Sequence, residues 1–233
     1  MATRTIAPPA RFAGFADRDA SFFRALARNQ KRDWFLAHKD EYDRGWLGPM
    51  KALLAEVRIR LEPLYGHDPL AEPKVFRIYR DVRFSKDKVP YKTHIGGFLP
   101  LGGTGNGPSA AAALYVHVGA DEVFVAAGQY MMDGDQLRRF RAALLDARGV
   151  KLAKTLAPLT RAGYEIGSHD TLQRVPRGID PEHPRAALLK RKGLILAFPG
   201  LPREKLTSRA LVSWLIAHAK RTVPVVEWLA ALT

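Results

Sequence analysis

The chain of 233 residues contains no cysteine. That excludes disulfides, thiolate metal sites and a thiol nucleophile. No apolar run approaches the ~18 residues that a membrane span requires. The opening stretch, MATRTIAPPARFAG, lacks the apolar segment of a secretory signal, so the expected compartment is the cytoplasm. There is no HExxH, no clustered HxH and no paired-carboxylate motif, so neither a metal nor a cofactor is expected. GxSxG is also missing, and Ser85 has no base beside it in sequence. Kinase, Rossmann and helix-turn-helix signatures are lacking as well. The glycine-rich stretch GGFLPLGGTGNGP has no GK[ST] and leads towards a strand rather than a helix. It therefore offers no helix N-terminus to a phosphate and reads as a long hairpin connection.

What is present describes a globular chain with a strong charge bias. Hydrophobic residues make up 47% and the mean hydropathy is -0.18, enough to build one substantial core. The net charge is +14 and the pI about 10.2. A positive field of that size attracts polyanions. A basic proteome in which Arg fills surface positions produces the same number, and net charge alone names no site.

Helical spacing dominates both ends. Residues 1–11 read as an irregular arm. Arg18–Asn29 reads as a helix with Asp17 as its cap, and Asp33–Tyr42 as a second, short one. Leu47, Met50, Leu54, Val57 and Leu61 recur at alternating spacings of three and four, a core-facing stripe with Pro49 in the first turn. Asp133 and Gln136 have capping-box spacing ahead of another helix, and Val150–Leu159 follows. Asp180–Leu189 reads as a short helix. Arg203–Lys220 reads as the last long helix, interrupted by Pro224. The middle alternates instead. Val75–Phe84, Ala113–Val118 and Val123–Ala127 are expected strands, joined later by Tyr164–Ile166 and Leu194–Phe198. Helices, then strands, then helices point to one α+β domain over residues 12–233, with a mostly antiparallel sheet packed by the N-terminal and C-terminal helices.

One stretch stands apart. Phe76–His94, FRIYRDVRFSKDKVPYKTH, carries six Lys/Arg, two Asp, two Tyr and a final His in nineteen residues. If Val75–Phe84 is a strand, Phe76, Ile78, Val82 and Phe84 form its apolar face and Arg77, Tyr79, Asp81 and Arg83 its polar face. Arg80 then falls on the apolar side, which requires a carboxylate partner or a kink between Tyr79 and Val82. On Ala113–Val118 the polar face is Tyr115 and His117. The expectation is that these polar faces coincide, so that Arg77, Tyr79, Arg83, Tyr115 and His117 gather on one side of the sheet. Lys86, Lys88, Lys92 and His94 would surround Tyr91 on a basic loop. A second basic cluster, with Arg174, Arg177, His183 and Lys190–Lys192, would complete the site.

Arg and Lys suit phosphate or carboxylate, and Tyr supplies a ring face. The candidate ligand residues are thus Arg77, Tyr79, Arg80, Arg83, Lys86, Lys88, Tyr91, Lys92, Tyr115 and Arg177. His117 and His94 are the candidate acid or base groups. The expected partner is an anionic ligand, a phosphorylated small molecule or nucleotide, with no reaction assigned. A non-catalytic nucleic-acid-binding module is the alternative. The same composition also describes a salt-bridge network that merely holds a loop, with Arg80, Arg83, Asp81 and Asp87 as its members.

The motif resembles the bacterial and fungal family named domain of unknown function 2461. The similarity also runs through Phe22-Phe23, Asn29, Trp34-Phe35, Tyr42, Tyr115-Val116-His117, Val123–Gly128, Arg174–Gly178, Asp180–Pro184 and Lys192. Gln30 stands where the family usually has a second Asn, and Val89 where it usually has Thr. The resemblance implies a fold and a choice of residues, and no activity.

Overall fold

The alternating strands pair as their patterns require, but packing decides where each begins and ends. The computed structural model describes residues 11–66, 70–83, 86, 88–102 and 112–232. Apart from Arg11, the expected arm lies outside the described residues. So do residues 103–111 of the glycine-rich stretch and Phe84, Ser85 and Asp87 of the motif.

The N-terminal helices are α1 (Ser21–Arg28), α2 (Arg32–Ala37), α3 (Lys39–Tyr42) and α4 (Gly48–Leu61), with a π-helical turn over Asp43–Leu47 ahead of α4. Helix α1 starts later than expected. The Asp17 carboxylate accepts from the backbone N–H of Asp19 and of Ser21 and from the Ser21 hydroxyl, which ties it into the preceding turn. Phe22, Phe23, Phe35, Tyr42 and Trp46 form a buried aromatic cluster between these helices.

The sheet has six strands: β1 (Lys74–Val75), β2 (His94–Gly102), β3 (Ala112–Gly119), β4 (Val123–Gln129), β5 (Glu165–Gly167) and β6 (Leu194–Ala197). They lie in the order β1-β2-β3-β4-β6-β5, every neighbouring pair antiparallel. The remaining helices are α5 (Gly134–Leu145), α6 (Ala147–Arg161), α7 (Ala186–Leu189) and α8 (Ala210–Ala230). Helix α5 opens with the expected capping box of Asp133 and Gln136. The helix expected from Asp180 is only the four-residue α7, because residues 180–184 are held in turns. Helix α8 runs straight through Pro224, which was expected to interrupt it.

Helices α4 and α8 pack on one face of the sheet. That inner face carries Leu99, Leu114, Val116, Val118, Val125 and Leu196, all at most 1% exposed. Burial of this face is the main source of stability, at about 25 cal/mol for each Å² of apolar surface removed from water. No described helix is long and apolar enough to cross a membrane.

Two sequence expectations fail near the motif. The glycine-rich stretch is not simply a connection: its first part is β2, which pairs with both β1 and β3. Its paired glycines disguise a strand that is crowded on both faces. A Cβ on Gly97 would lie 2.6 Å from the Leu54 side chain of α4, and a Cβ on Gly96 would lie 2.6 Å from the Tyr115 hydroxyl. Conversely, the strand expected over Val75–Phe84 does not continue past Val75 among the described residues. Pairing stops at Val75, with one further bond from the Phe76 N–H to the Gly96 carbonyl (2.9 Å). The chain then leaves the sheet and makes a narrow bridge. Arg80 N–H donates to the Pro90 carbonyl, and Lys92 N–H to the Ile78 carbonyl, around the facing pair Tyr79 and Tyr91. A regular strand would have forced Arg80 onto the apolar side, and leaving the sheet removes that conflict.

Candidate anion-binding site

The departure of the chain at Phe76 reassigns the faces. Register places Gly96 opposite His117, and Phe98 opposite Tyr115 and Lys74. Phe76, bonded to Gly96, therefore shares the outer face with Tyr115 and His117; its ring packs on Phe98 (5.3 Å) and edge-on to Tyr115 (6.2 Å). Arg77, Tyr79 and Arg83 do not join Tyr115 and His117 there, contrary to the alternation argument. The motif instead divides into a tip and a base.

The described residues of the tip are 81–83, 86, 88 and 89. The Arg83 guanidinium makes two bonds to the Asp81 carboxylate, at 2.9 and 2.7 Å, and this pairing holds the carboxyl of Asp81 below its usual range. The Lys88 ammonium donates to the Val82 carbonyl (2.9 Å). Lys86 is exposed.

The base is built on aromatic packing. Tyr91 is 3% exposed, its ring stacked on Phe35 at 4.7 Å, and its N–H donates to the Gln30 side-chain carbonyl (3.0 Å). Tyr91 is thus a core residue rather than a ligand surface. Tyr79, 48% exposed, packs edge-on against the same Phe35 ring. Arg80 is half-buried.

Beside Tyr79 a surface groove of about 300 Å³ opens between the N-terminal helices and the motif. Phe35, Tyr42, Phe76, Ile78 and Tyr79 form its apolar wall; Lys39, Lys51 and Arg77 bring positive charge, and Asp43 is its acidic member. Asp43 is taken up by Lys39, whose ammonium bonds to it along one helical turn. Arg77 and Lys51 are exposed and make no hydrogen bond or ion pair among the described residues. Burial pushes the phenol of Tyr42 up to about 12, so it is a neutral donor at the floor of the groove. Lys39 and Lys51 were missed in the sequence because they are single cations on helices; only the fold brings them to the motif.

Past Phe76 the outer face continues. The Lys92 ammonium lies 5.3 Å from the centre of the Phe76 ring, and burial together with the Arg77 charge lowers its pKa. The rings of His94 and His117 are 4.1 Å apart. His117 is 6% exposed and stacks on Phe124 at 4.7 Å. Its Nδ1 lies 3.1 Å from the Tyr115 hydroxyl and its Nε2 3.5 Å from the Glu122 carboxylate. A carboxylate on that side favours a proton on Nε2 and leaves Nδ1 to accept from Tyr115. Burial brings His117 down to about 4; burial, then His117 and Lys92, bring His94 down to about 4 as well. Burial lifts the Tyr115 phenol to about 12. Near pH 7 this face therefore carries neutral imidazoles and a protonated phenol. Glu122, which in the sequence sits in an ordinary turn, is a further site neighbour that alternation could not supply.

Arg177 is exposed and lies in the connection between α7 and β5, the strand at the opposite edge of the sheet from β1. Lys192 of the second basic cluster is paired with Asp170 (2.6 Å). No group of three or more His, Asp or Glu among the described residues is arranged to hold a metal ion.

Comparison with known proteins adds one match. No curated protein and no solved structure matches the chain. The model of the family described as conserved hypothetical protein (DUF2461) matches residues 19–228, which include the groove, the whole motif and the outer face. The chain belongs to that family.

Proposed function

We propose that the base of the motif binds a small phosphorylated molecule or nucleotide in the cytoplasm, with no reaction assigned. The observation that carries this reading is the Arg77 guanidinium, exposed in an aromatic-walled groove with no hydrogen bond or ion pair among the described residues and only a longer-range attraction to Asp81. A structural ion-pair network needs carboxylates, and the nearby ones are engaged: Asp43 by Lys39 and Asp81 by Arg83. Arg77 offers a planar fork of donors for phosphate, with Lys51 as a second charge. Tyr79 and Phe76 offer ring faces on which a base can stack. The volume, about 300 Å³, falls at the small end of ligand sites.

Titration with adenosine monophosphate, followed by calorimetry, tests the reading. Binding is expected at low salt, to weaken as salt rises, and to be lost in Arg77→Ala with the fold intact. No binding by wild-type protein at low salt sinks it. The exposed Lys86 and Lys88 at the tip favour a second reading, a nucleic-acid-binding module. That reading predicts a much steeper salt dependence with a short single-stranded oligonucleotide and a loss of affinity in Lys86→Ala.

A further inference from the structure

Arg77, Lys92 and His94 form a row along one edge of the sheet. Arg77 acts electrostatically on Lys92, and Lys92 on His94. Neither Lys92 nor Arg77 has an ion pair among the described residues. His94 makes no hydrogen bond there either, and its ring nitrogens are not among the fully occluded polar atoms. It is half-buried, with its ring against that of His117. An imidazole with two open nitrogens beside an unpaired ammonium is an arrangement that a fold gains nothing from by itself. Like charges attract no partner from each other, and nitrogens that stay open are available to a ligand. His117 differs in that both of its nitrogens face partners, Tyr115 and Glu122.

We propose that Lys92 and His94 form an anion subsite on the outer face, next to the Arg77 groove, that holds a dianionic phosphate-type group and takes up one proton on His94 as it binds. The proposal rests on the anion-binding reading of the groove and extends it to a ligand with a second anionic group. The other charged and titratable groups facing His94 act in opposite directions. His117 and Lys92 oppose its protonation and Glu122 favours it. Arg203, bonded to the carbonyls of Gly119 and Ala120 across from His94, adds positive charge. An anion seated between Lys92 and His94 reverses that balance. The free imidazole titrates near 4, so proton uptake on binding makes affinity rise as pH falls from neutrality.

Sulfate is the probe, because its charge is constant over the range used and any pH dependence then belongs to the protein. Calorimetric affinity is expected to increase by about tenfold between about pH 8 and about pH 5. Saturating sulfate is expected to raise the His94 titration, followed by imidazole NMR and assigned with His94→Gln, by about two units, the rise that a tenfold gain at about pH 5 requires. His94→Gln should keep the affinity found at high pH and lose the rise. Arg77→Ala should weaken binding at both pH values and keep the rise. If wild-type affinity is the same at both pH values, or His94 titrates unchanged with sulfate bound, the subsite is overturned while the groove reading stands. Absence of sulfate binding at either pH overturns both.

Discussion

The tip and the base of the motif carry three Lys/Arg each, but both Asp lie in the tip and both Tyr and the His in the base. At the tip, Arg83 closes on Asp81 two residues away, and Lys88 on a backbone carbonyl. The Arg83 charge is offset locally, while Lys86 stays exposed. At the base, Arg77, Lys92 and His94 come together without an ion pair among the described residues, on a platform of packed rings. The difference teaches that a run of mixed charges contains both a structural and a functional part, and that distance to the nearest free carboxylate separates them. The salt-bridge reading and the anion-site reading of the sequence thus apply to different residues.

The strongest way to break the comparison is to remove the platform. Phe35 is 1% exposed and contacts Tyr42, Tyr79 and Tyr91. Phe35→Ala is expected to lose about 3–5 kcal/mol in urea unfolding, with anion binding lost alongside. A loss of under about 1 kcal/mol would mean that the base does not depend on this ring.

Acid should separate the two parts next. The unfolded chain takes up protons on its histidines near 6.5, whereas His94 and His117 in the fold resist protonation until about 4. A depressed histidine pKa stabilises the fold above 6.5 and loses that contribution as pH falls through this window. A loss of about 3 kcal/mol is expected, less than two independent shifts because His94 is partly solvated and the two rings share charge. Urea unfolding across the window reads it directly. His94→Gln should flatten part of the curve and Arg83→Ala none of it; an unchanged curve in His94→Gln would show that the histidine face does not carry the effect.

Two arginine variants give the most direct contrast and a smaller energy. Arg77→Ala is expected to weaken adenosine monophosphate binding by at least about tenfold, or about 1.4 kcal/mol, without a change in the unfolding midpoint. Arg83→Ala should alter neither by a measurable amount, since its pair with Asp81 is fully solvent-exposed. Equal effects of the two substitutions would erase the distinction between tip and base.

Finally, Gly96→Ala sharpens the role of the outer face. The added Cβ would fall 2.6 Å from the Tyr115 hydroxyl. The ring must move away from His117, at a cost of about 1–3 kcal/mol. Tyrosine and histidine NMR signals should shift while those of the tip stay in place.

Much of this molecule was legible from residue order. The α+β class, the stripe on α4, the capping box on α5 and the alternation of β3 and β4 all follow from local periodicity and local hydrogen bonding, which a sequence contains. The composition of the motif likewise marked where charge and rings concentrate. β2 was not legible, because its glycines look like a connection. They are there to admit the α4 side chains on one face and Tyr115 on the other, and that crowding exists only once the strands are paired. Nor could alternation show that the chain leaves the sheet after Phe76. Two outcomes go with that departure: Phe76 rather than Arg77 lies beside Tyr115, and Arg77 lines the same groove as Lys51. Sequence by itself determined which residue types were available and their local conformations. Asp81 and Asp43 are neutralised by near neighbours in sequence, whereas only the tertiary structure brings Arg77 to Lys39 and Lys51, because those cations lie on segments far apart in the chain.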